Sequence, residues 1–253
     1  MNKLLILGSS GFIGRHILQY SKEFHNAGYS IAQWDHKVDG SLLDSSTTER
    51  IFSSIQPTHI LHLAWGGLGI GVEFNSNTHV DWADFSINLT QNANDLQVEL
   101  WNIGTGLEAD LVSAMSTTYG AAKLAIRDAT LKGSSNNSRW ISIPYVFSIA
   151  HKRPRLVNDY LAANSKSVLR NPEQVTDFVE VRDCARQIVD FITECNDQRL
   201  VHVTSGNPIT NSQFIQKLSS AVTDPILNSC TCDKTISQVP EKGKSLTDYF
   251  LSL

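Results

Sequence analysis

Short apolar runs alternate with longer helix-like segments along this chain. "KLLILG" precedes "FIGRHILQYSKEF", "YSIAQWD" precedes a helical pattern near Ser46–Ser54, and "THILHLAW" precedes one near Asp81–Leu96. The order continues through the strand "VELWNIG", the "TTYGAAKLAIRDATL" helix and the strand "RWISIPYVF". Strand and helix in strict alternation imply a parallel sheet covered on both faces. The expected fold is therefore α/β, a doubly wound parallel sheet.

Length sets how much else the chain can hold. Its 253 residues suit one large domain, or a domain with a modest appendage. No repeat, low-complexity run or charge block divides it; the irregular stretches are "GGLGIGVEFNSNTH", "KGSSNNS" and the tail after Thr223. A charged fraction of 18% and a net charge of -4 give no reason to expect nucleic acid or a lipid surface as partner, so a small molecule is expected. No apolar run approaches the roughly 20 residues of a membrane span. "MNKLLILGSS" loses its apolar character too soon for a signal peptide and reads as a first strand. The cysteines are Cys184, Cys195, Cys230 and Cys232. Their lone C-x-C has no second pair or histidine cluster beside it, so no metal is expected and the thiols are read as reduced, in a cytoplasm.

In an open parallel sheet, ligands gather at the carboxyl ends of the strands. Gly8, Gly11 and Gly14 lie between the first strand and the first helix, where glycine permits a tight turn and lets a pyrophosphate approach helix N-terminal amides. Asp35 follows Gly14 by 21 residues (35 − 14), at the end of "YSIAQWD", where a carboxylate can accept hydrogen bonds from an adenosine ribose. Taken alone, the glycines also fit an ordinary strand-to-helix turn and Asp35 a polar strand end. Lys37 offers a cation to a 2′-phosphate, so NAD(H) is favoured and NADP(H) is the alternative.

Tyr119 stands four positions before Lys123. On a helix those positions share one face, which brings a phenol and an ammonium to one point. A phenol titrates near pH ~10, and a fixed cation beside it lowers that value by on the order of one to three units. Such a tyrosine exchanges protons near neutrality. By spacing alone, the pair also fits an ordinary exposed helix surface.

The glycine spacing G-x-x-G-x-x-G, taken with Tyr119-x-x-x-Lys123, resembles the extended short-chain dehydrogenase/reductase family, the NAD-dependent epimerase/dehydratase group. "HILHLAW" looks like that family's H-L-A-A strand, "DFSINLTQNAND" carries Asn88 at its helix asparagine, and "VTDFVEVRDCARQI" resembles its R-D-F-x-x-V-x-D-x-A signature. The resemblance spans nearly the whole chain. It implies a single NAD(P)-binding Rossmann domain over residues 1–253, with a small C-terminal substrate-binding part made of interleaved segments at about 148–180 and 204–253. It assigns the dinucleotide to Gly8, Ser10, Gly11, Phe12, Ile13 and Gly14, then to Asp35, His36 and Leu42, to Leu63, Ala64 and Trp65, and to Lys123 and Pro144. "GTGLE" resembles the G-T-x-x-E-Y-G form of nucleotide-sugar members and places the third catalytic group at Thr105, which without the resemblance reads as a loop cap. The implied roles are Thr105 orienting the substrate oxygen, Tyr119 exchanging its proton, and Lys123 tuning the phenol while binding nicotinamide ribose hydroxyls.

Three departures stand out. Thr105 and Tyr119 are only 14 positions apart (119 − 105), shorter than the family's usual loop, which implies a more open pocket. Thr176 replaces the Arg that faces the substrate diphosphate, with Lys152, Arg153, Arg155 or Arg170 as candidate substitutes, and Ser41 stands where an adenine-contacting Asp is usual. The resemblance points to a reductase of a nucleotide-linked 4-keto-6-deoxy sugar. Gly106 and Leu107 stand where a 4,6-dehydratase carries adjacent acids, so dehydration is disfavoured. A nucleotide-sugar 4-epimerase ranks second. A non-catalytic dinucleotide-binding regulator or scaffold is the reading of another class, and a homodimer is an open assembly.

Overall fold

The computed structural model describes residues 1–66, 74–132, 136–148, 171–194 and 197–223. In chain order its first half runs β1 (Asn2–Leu7), α1 (Gly14–Ile17), α2 (Ser21–Asn26), β2 (Tyr29–Trp34), α3 (His36–Asp39), α4 (Thr47–Arg50), β3 (His59–His62), α5 (Thr78–Asp95) and β4 (Glu99–Ile103). The second half runs α6 (Leu111–Met115), α7 (Thr118–Lys132), β5 (Ser138–Ser142), β6 (Tyr145–Phe147), β7 (Val175–Thr176), β8 (Phe178–Glu180), α8 (Val181–Thr193), β9 (Leu200–His202), β10 (Ile209–Thr210) and α9 (Asn211–Thr223).

Six strands form a parallel sheet in the order β2-β1-β3-β4-β5-β9, with helices flanking it. This is the doubly wound Rossmann-like fold. In β1, Leu4 to Leu7 are each 0% exposed, because a central parallel strand is covered on both faces and so reads as an unbroken apolar run. Leu5 and Leu7 pack with Trp34, Leu42, Ile60 and Leu100 against Phe85, Leu89 and Ala93 of α5. Each of the leucine, isoleucine and phenylalanine side chains contributes roughly 1.5–3 kcal/mol when fully buried.

Helix α5 buries His79, Ala83, Ser86, Leu89, Thr90 and Ala93, a spacing of three and four that lays one stripe on the sheet. It ends where Gln97 enters the left-handed region at φ 56°. Val98 N–H then reaches Ala93 O at 2.8 Å and Gln97 N–H reaches Asn94 O at 3.3 Å, closing the carbonyls of the last turn.

Two expected elements differ. The segment from Phe12 to Phe24 is not one helix but α1, a 3-10 turn at Leu18–Tyr20, and α2. The run Arg139–Phe147 is not one strand: it divides at Pro144 into β5, in the six-stranded sheet, and β6, which pairs with β8. Proline has no N–H to donate, so the ladder cannot run through it. Tyr145 N–H donates instead to Asp177 O at 3.1 Å.

The chain forms two compact units, Met1–Ile143 with Cys184–Val203, and Pro144–Asp183 with Thr204–Leu253. The first holds the six-stranded sheet. The second holds the pairs β6–β8 and β7–β10 together with α9, whose Phe214 stacks on Phe178 at 3.8 Å between ring centres. Within it, Asp177 accepts hydrogen bonds from Thr204 Oγ1 at 2.7 Å and Ser205 N–H at 3.1 Å. Thr176 Oγ1 donates to Asn211 Oδ1 at 3.1 Å, so the residue standing in the arginine's place ties β7 to the start of α9. Cys184 is a buried thiol; Cys195, Cys230 and Cys232 lie outside the described residues. Among the described residues, no helix is long and apolar enough to cross a membrane.

Candidate active site

After β1 the chain moves to one side of the sheet to make β2, and from β3 onward it builds the other side, so the carboxyl ends of β1 and β3 flank the switch point where α/β sheets bind ligands. Gly8 sits there with φ 85°, a conformation that disfavours any side chain. A Cβ on it would lie 2.7 Å from Ala64 N, so the turn rests directly on the exit of β3. Gly11 N–H closes the turn onto Gly8 O at 2.9 Å. A Cβ on Gly14 would overlap Gly8 O and lie 2.7 Å from Ser9 Cα. The turn is thus folded against itself and against β3 at van der Waals limits, leaving Ser10 and Gly11 exposed and Phe12 and Ile13 half-buried beside it.

Leu63 and Ala64 arrive at the same crevice, Leu63 N–H donating to Leu7 O at 2.9 Å. At the end of the neighbouring strand, Asp35 caps α3 by accepting Lys37 N–H at 3.0 Å, while its own N–H donates to Asp39 Oδ2 at 2.8 Å. The carboxylate is exposed, with His36 Nδ1 3.9 Å away. Ser41 Oγ accepts Leu43 N–H at 3.1 Å. Leu42 lies in the core with Leu5, Leu7 and Trp34, and Pro144 is the first residue of the second unit.

At the end of β4 a second cluster forms. Thr105 opens a 3-10 turn, Gly106–Ala109, in which Thr105 N–H donates to the Glu108 carboxylate and Glu108 N–H to Thr105 O at 3.2 Å. Asp110 then caps α6 by accepting Val112 N–H at 3.1 Å, and the nearby Ser113 donors hold this exposed carboxyl below its usual range. The short connection is packed hard against α7, since a Cβ on Gly120 would overlap Ala114 O.

Tyr119 and Lys123 face the sheet one turn apart on α7, 8% and 7% exposed. The phenol ring meets Trp65, His79 and Phe74 edge-on at 5.7, 5.3 and 5.6 Å. Trp65 in turn stacks on His79 and donates from Nε1 to His79 Nδ1 at 3.3 Å. Lys123 Nζ donates to Ile103 O at 2.9 Å and lies 3.9 Å from the centre of the Trp65 ring, a cation–π contact. Burial holds its ammonium down to about 7, opposed by the negative charge of Glu108. Burial also pushes the Glu108 carboxyl up, while hydrogen bonds from Thr105 and Trp140 and the charges of Arg127 and Lys123 act against the rise.

His62, the neighbour on β3, is held down to about 3 by burial and by Lys123, and is neutral. Ser86 Oγ donates to Trp82 O at 2.7 Å, so His62 Nε2 carries the hydrogen shared with Ser86 Oγ at 2.8 Å.

Thr105, Tyr119 and Lys123 therefore belong to one cluster around the end of β4. Asn88 is outside it, on the exposed face of α5, where it accepts from Asn92 Nδ2 at 2.8 Å. Lys152, Arg153, Arg155 and Arg170 lie outside the described residues. Sequence reasoning gave Glu108 no role, although the Thr105-x-x-Glu108 spacing is that of a capping box and signals the contact. It also set Trp65 against the dinucleotide alone, without its place between Tyr119 and Lys123.

A sequence profile of the NAD dependent epimerase/dehydratase family matches residues 4–203. Solved structures share the fold at low identity. The dTDP-4-dehydrorhamnose reductase of Bacillus anthracis, in complex with NADP, is 15% identical with a TM-score of 0.68, covering 88% of this chain and 82% of its own. The Bordetella bronchiseptica enzyme WbmH, in complex with NAD+, is 18% identical with a TM-score of 0.69, covering 89% and 83%. The UDP-glucose 4-epimerase of Thermus thermophilus, in complex with NAD, is 20% identical with a TM-score of 0.61, covering 87% and 83%.

Proposed function

This chain belongs to the NAD-dependent epimerase/dehydratase family, and from that premise we propose that it is an NAD(P)H-dependent reductase of a nucleotide-linked 4-keto-6-deoxy sugar. The observation that carries the reading is the buried Tyr119–Lys123 pair beside Thr105 at the end of β4. A phenol packed among Trp65, Phe74 and His79, one helical turn from an amine, is placed to give a proton where a carbonyl oxygen gains charge.

The residues present fit a dinucleotide. The turn has no room for side chains at Gly8 and Gly14, so its backbone amides would hold a pyrophosphate, while Asp35 would take the adenosine ribose and Lys123 the nicotinamide ribose. When bound, the dinucleotide supplies the hydride that the protein itself cannot. Thr105 Oγ orients the substrate oxygen. Tyr119 protonates that oxygen as the carbonyl is reduced, and Lys123, while charged, makes the phenol a stronger acid. Gly106 and Leu107 provide no acid–base pair for dehydration. The short connection from Thr105 to Tyr119 leaves less wall around the substrate, which suits an enzyme whose cofactor enters and leaves on each turnover.

The relatives carry both NAD and NADP, and one of them is an epimerase, so a 4-epimerase is the second reading. The test is to purify the protein, assay for bound nicotinamide, and add NADH or NADPH with nucleotide-linked 4-keto-6-deoxyhexoses. A reductase arrives largely without nicotinamide and consumes one reduced cofactor per sugar. Stoichiometric bound NAD with interconversion of two epimers establishes the epimerase. Dinucleotide binding without turnover of any sugar leaves a regulator or scaffold.

A further inference from the structure

Glu108 is 8% exposed, and its surroundings are built for a carboxylate. One oxygen takes Thr105 N–H; the other takes Trp140 Nε1–H at 2.7 Å and has Arg127 Nε at 3.8 Å. Space for it exists because residue 104 is glycine: a Cβ there would overlap Glu108 Oε1 and lie 2.5 Å from Trp140 Nε1. The strand end Ile103–Gly104–Thr105 is consequently tied on both sides, by Lys123 at Ile103 O and by Glu108 at Thr105 N–H. Arg127 is four residues after Lys123, so both cations stand on the α7 face that meets Glu108.

A neutral side chain would satisfy these donors less well. The amide of a glutamine offers one oxygen, and its nitrogen would face either Trp140 Nε1–H or Thr105 N–H as a second donor. A buried anion in this place does two things at once. It accepts both hydrogen bonds, and it supplies negative charge beside an ammonium that burial disfavours.

We propose that Glu108 is a positioning residue of the reaction, fixing the backbone that carries the Thr105 hydroxyl and setting a negative charge against the α7 face that bears Arg127 and Lys123. The proposal rests on the roles given above to Thr105, Tyr119 and Lys123. Among the described residues, the charged and titratable groups that face this pair are Arg127 of α7 on the Glu108 side and His62 of β3 on the Lys123 side. His62 is neutral above pH 3 or so and does not compete near neutrality.

The test uses the full chain with lysine labelled by 13C. The Cε resonance of Lys123, identified by its loss in Lys123→Met, is titrated in wild type, Glu108→Gln and Glu108→Asp, and kcat and KM are measured for each folded variant. Glu108→Gln is expected to lower the Lys123 midpoint by about one unit, since an attractive charge is removed. Its kcat should fall about tenfold to a hundredfold through the displaced strand end, with KM for the reduced dinucleotide within about twofold of wild type. Glu108→Asp keeps the charge but withdraws it by one methylene, so the Lys123 midpoint should stay near wild type while kcat falls. A Lys123 midpoint unmoved in folded Glu108→Gln, or a kcat within twofold of wild type in either variant, overturns the proposal. If Glu108→Gln does not fold, Glu108→Asp carries the kcat test and Lys123 is still titrated in it, where a midpoint shifted by a unit overturns the proposal. The NMR titration needs no turnover, so a wild type inactive on every 4-keto sugar overturns the reductase reading while the Lys123 shift still judges the charge role of Glu108.

Discussion

The turn from Gly8 to Gly14 and the cluster from Thr105 to Lys123 stand at the ends of strands in one sheet, and opposite means hold them. The turn is shaped chiefly by backbone: Gly8 lies against Ala64 and Gly14 against Gly8 and Ser9, and its one charged side-chain contact among the described residues is an exposed one, Arg15 Nε donating to Gly11 O at 3.3 Å. The cluster is shaped by side chains withdrawn from water: Lys123, Glu108, Tyr119 and His62 are all buried, and burial shifts the pKa of Lys123 and His62 down and that of Glu108 up. A site made of backbone should tolerate changes of pH and withstand no added methyl group. A site made of buried charge should tolerate small changes of shape and respond to every change of charge.

The contrast can be broken at four places. The largest effect is expected from Tyr119→Phe, which keeps the ring among Trp65, Phe74 and His79 and removes the acid; turnover should fall roughly 10²- to 10⁴-fold with cofactor affinity nearly unchanged. Steady-state kinetics beside dinucleotide titration reads both quantities. Gly14→Ala should instead spare the acid and damage the scaffold. Its methyl meets backbone that cannot move aside, so urea unfolding should show a loss on the order of 2–4 kcal/mol, together with weakened dinucleotide binding.

Lys123→Met tests the buried charge through stability. The folded state holds this ammonium down to about 7 from 10.5, so between those values the unfolded chain binds a proton that the folded chain does not. Stability from this group is therefore present above about pH 10.5 and is lost as pH falls toward 7. The Met variant should be more stable than wild type at pH 7 by on the order of 1–2 kcal/mol, the advantage shrinking by about pH 10, while turnover and cofactor affinity both suffer. A stability difference that does not vary over this window would mean that Lys123 is not desolvated. The smallest effect belongs to Asp35, whose exposed carboxylate should favour NAD(H) over NADP(H) by less than Tyr119→Phe costs. A tenfold preference for NADP(H), about 1.4 kcal/mol, would show that Lys37 governs instead.

Glu180 in the second unit sharpens the comparison from outside both sites. Burial raises its carboxyl to about 7, against Arg182, which donates its N–H to Glu180 Oε2 at 2.6 Å. Here the folded state holds the extra proton, so the contribution is present below pH 4.5 and lost as pH rises through about 7, the reverse of Lys123. Glu180→Gln should flatten that slope in a set of urea denaturations between about pH 5 and 8.

Much was legible in the chain because much of it is local. The glycines announce a turn since their permission is a property of each residue, and the four-residue step from Tyr119 to Lys123 announces one face since helical geometry sets it. Alternating strand and helix patterns led to the parallel sheet for the same reason. What local pattern could not show was which partner arrives from elsewhere. "RWISIPYVF" has strand character throughout, and only the pairing of β6 with β8 reveals that Pro144 divides it between two sheets.

The cluster at the end of β4 marks the same boundary. Spacing put Tyr119 and Lys123 on one face and the family resemblance gave them and Thr105 their expected roles, but Glu108 acquires its surroundings from Trp140 on β5 and Arg127 on α7, and Trp65 reaches Tyr119 and Lys123 from the end of β3. Residue types and short-range geometry are written in the chain, whereas burial is a property of the assembled molecule. An ammonium near 10.5 in water becomes one near 7 only when strands and helices distant in sequence close around it and exclude the solvent that kept it charged.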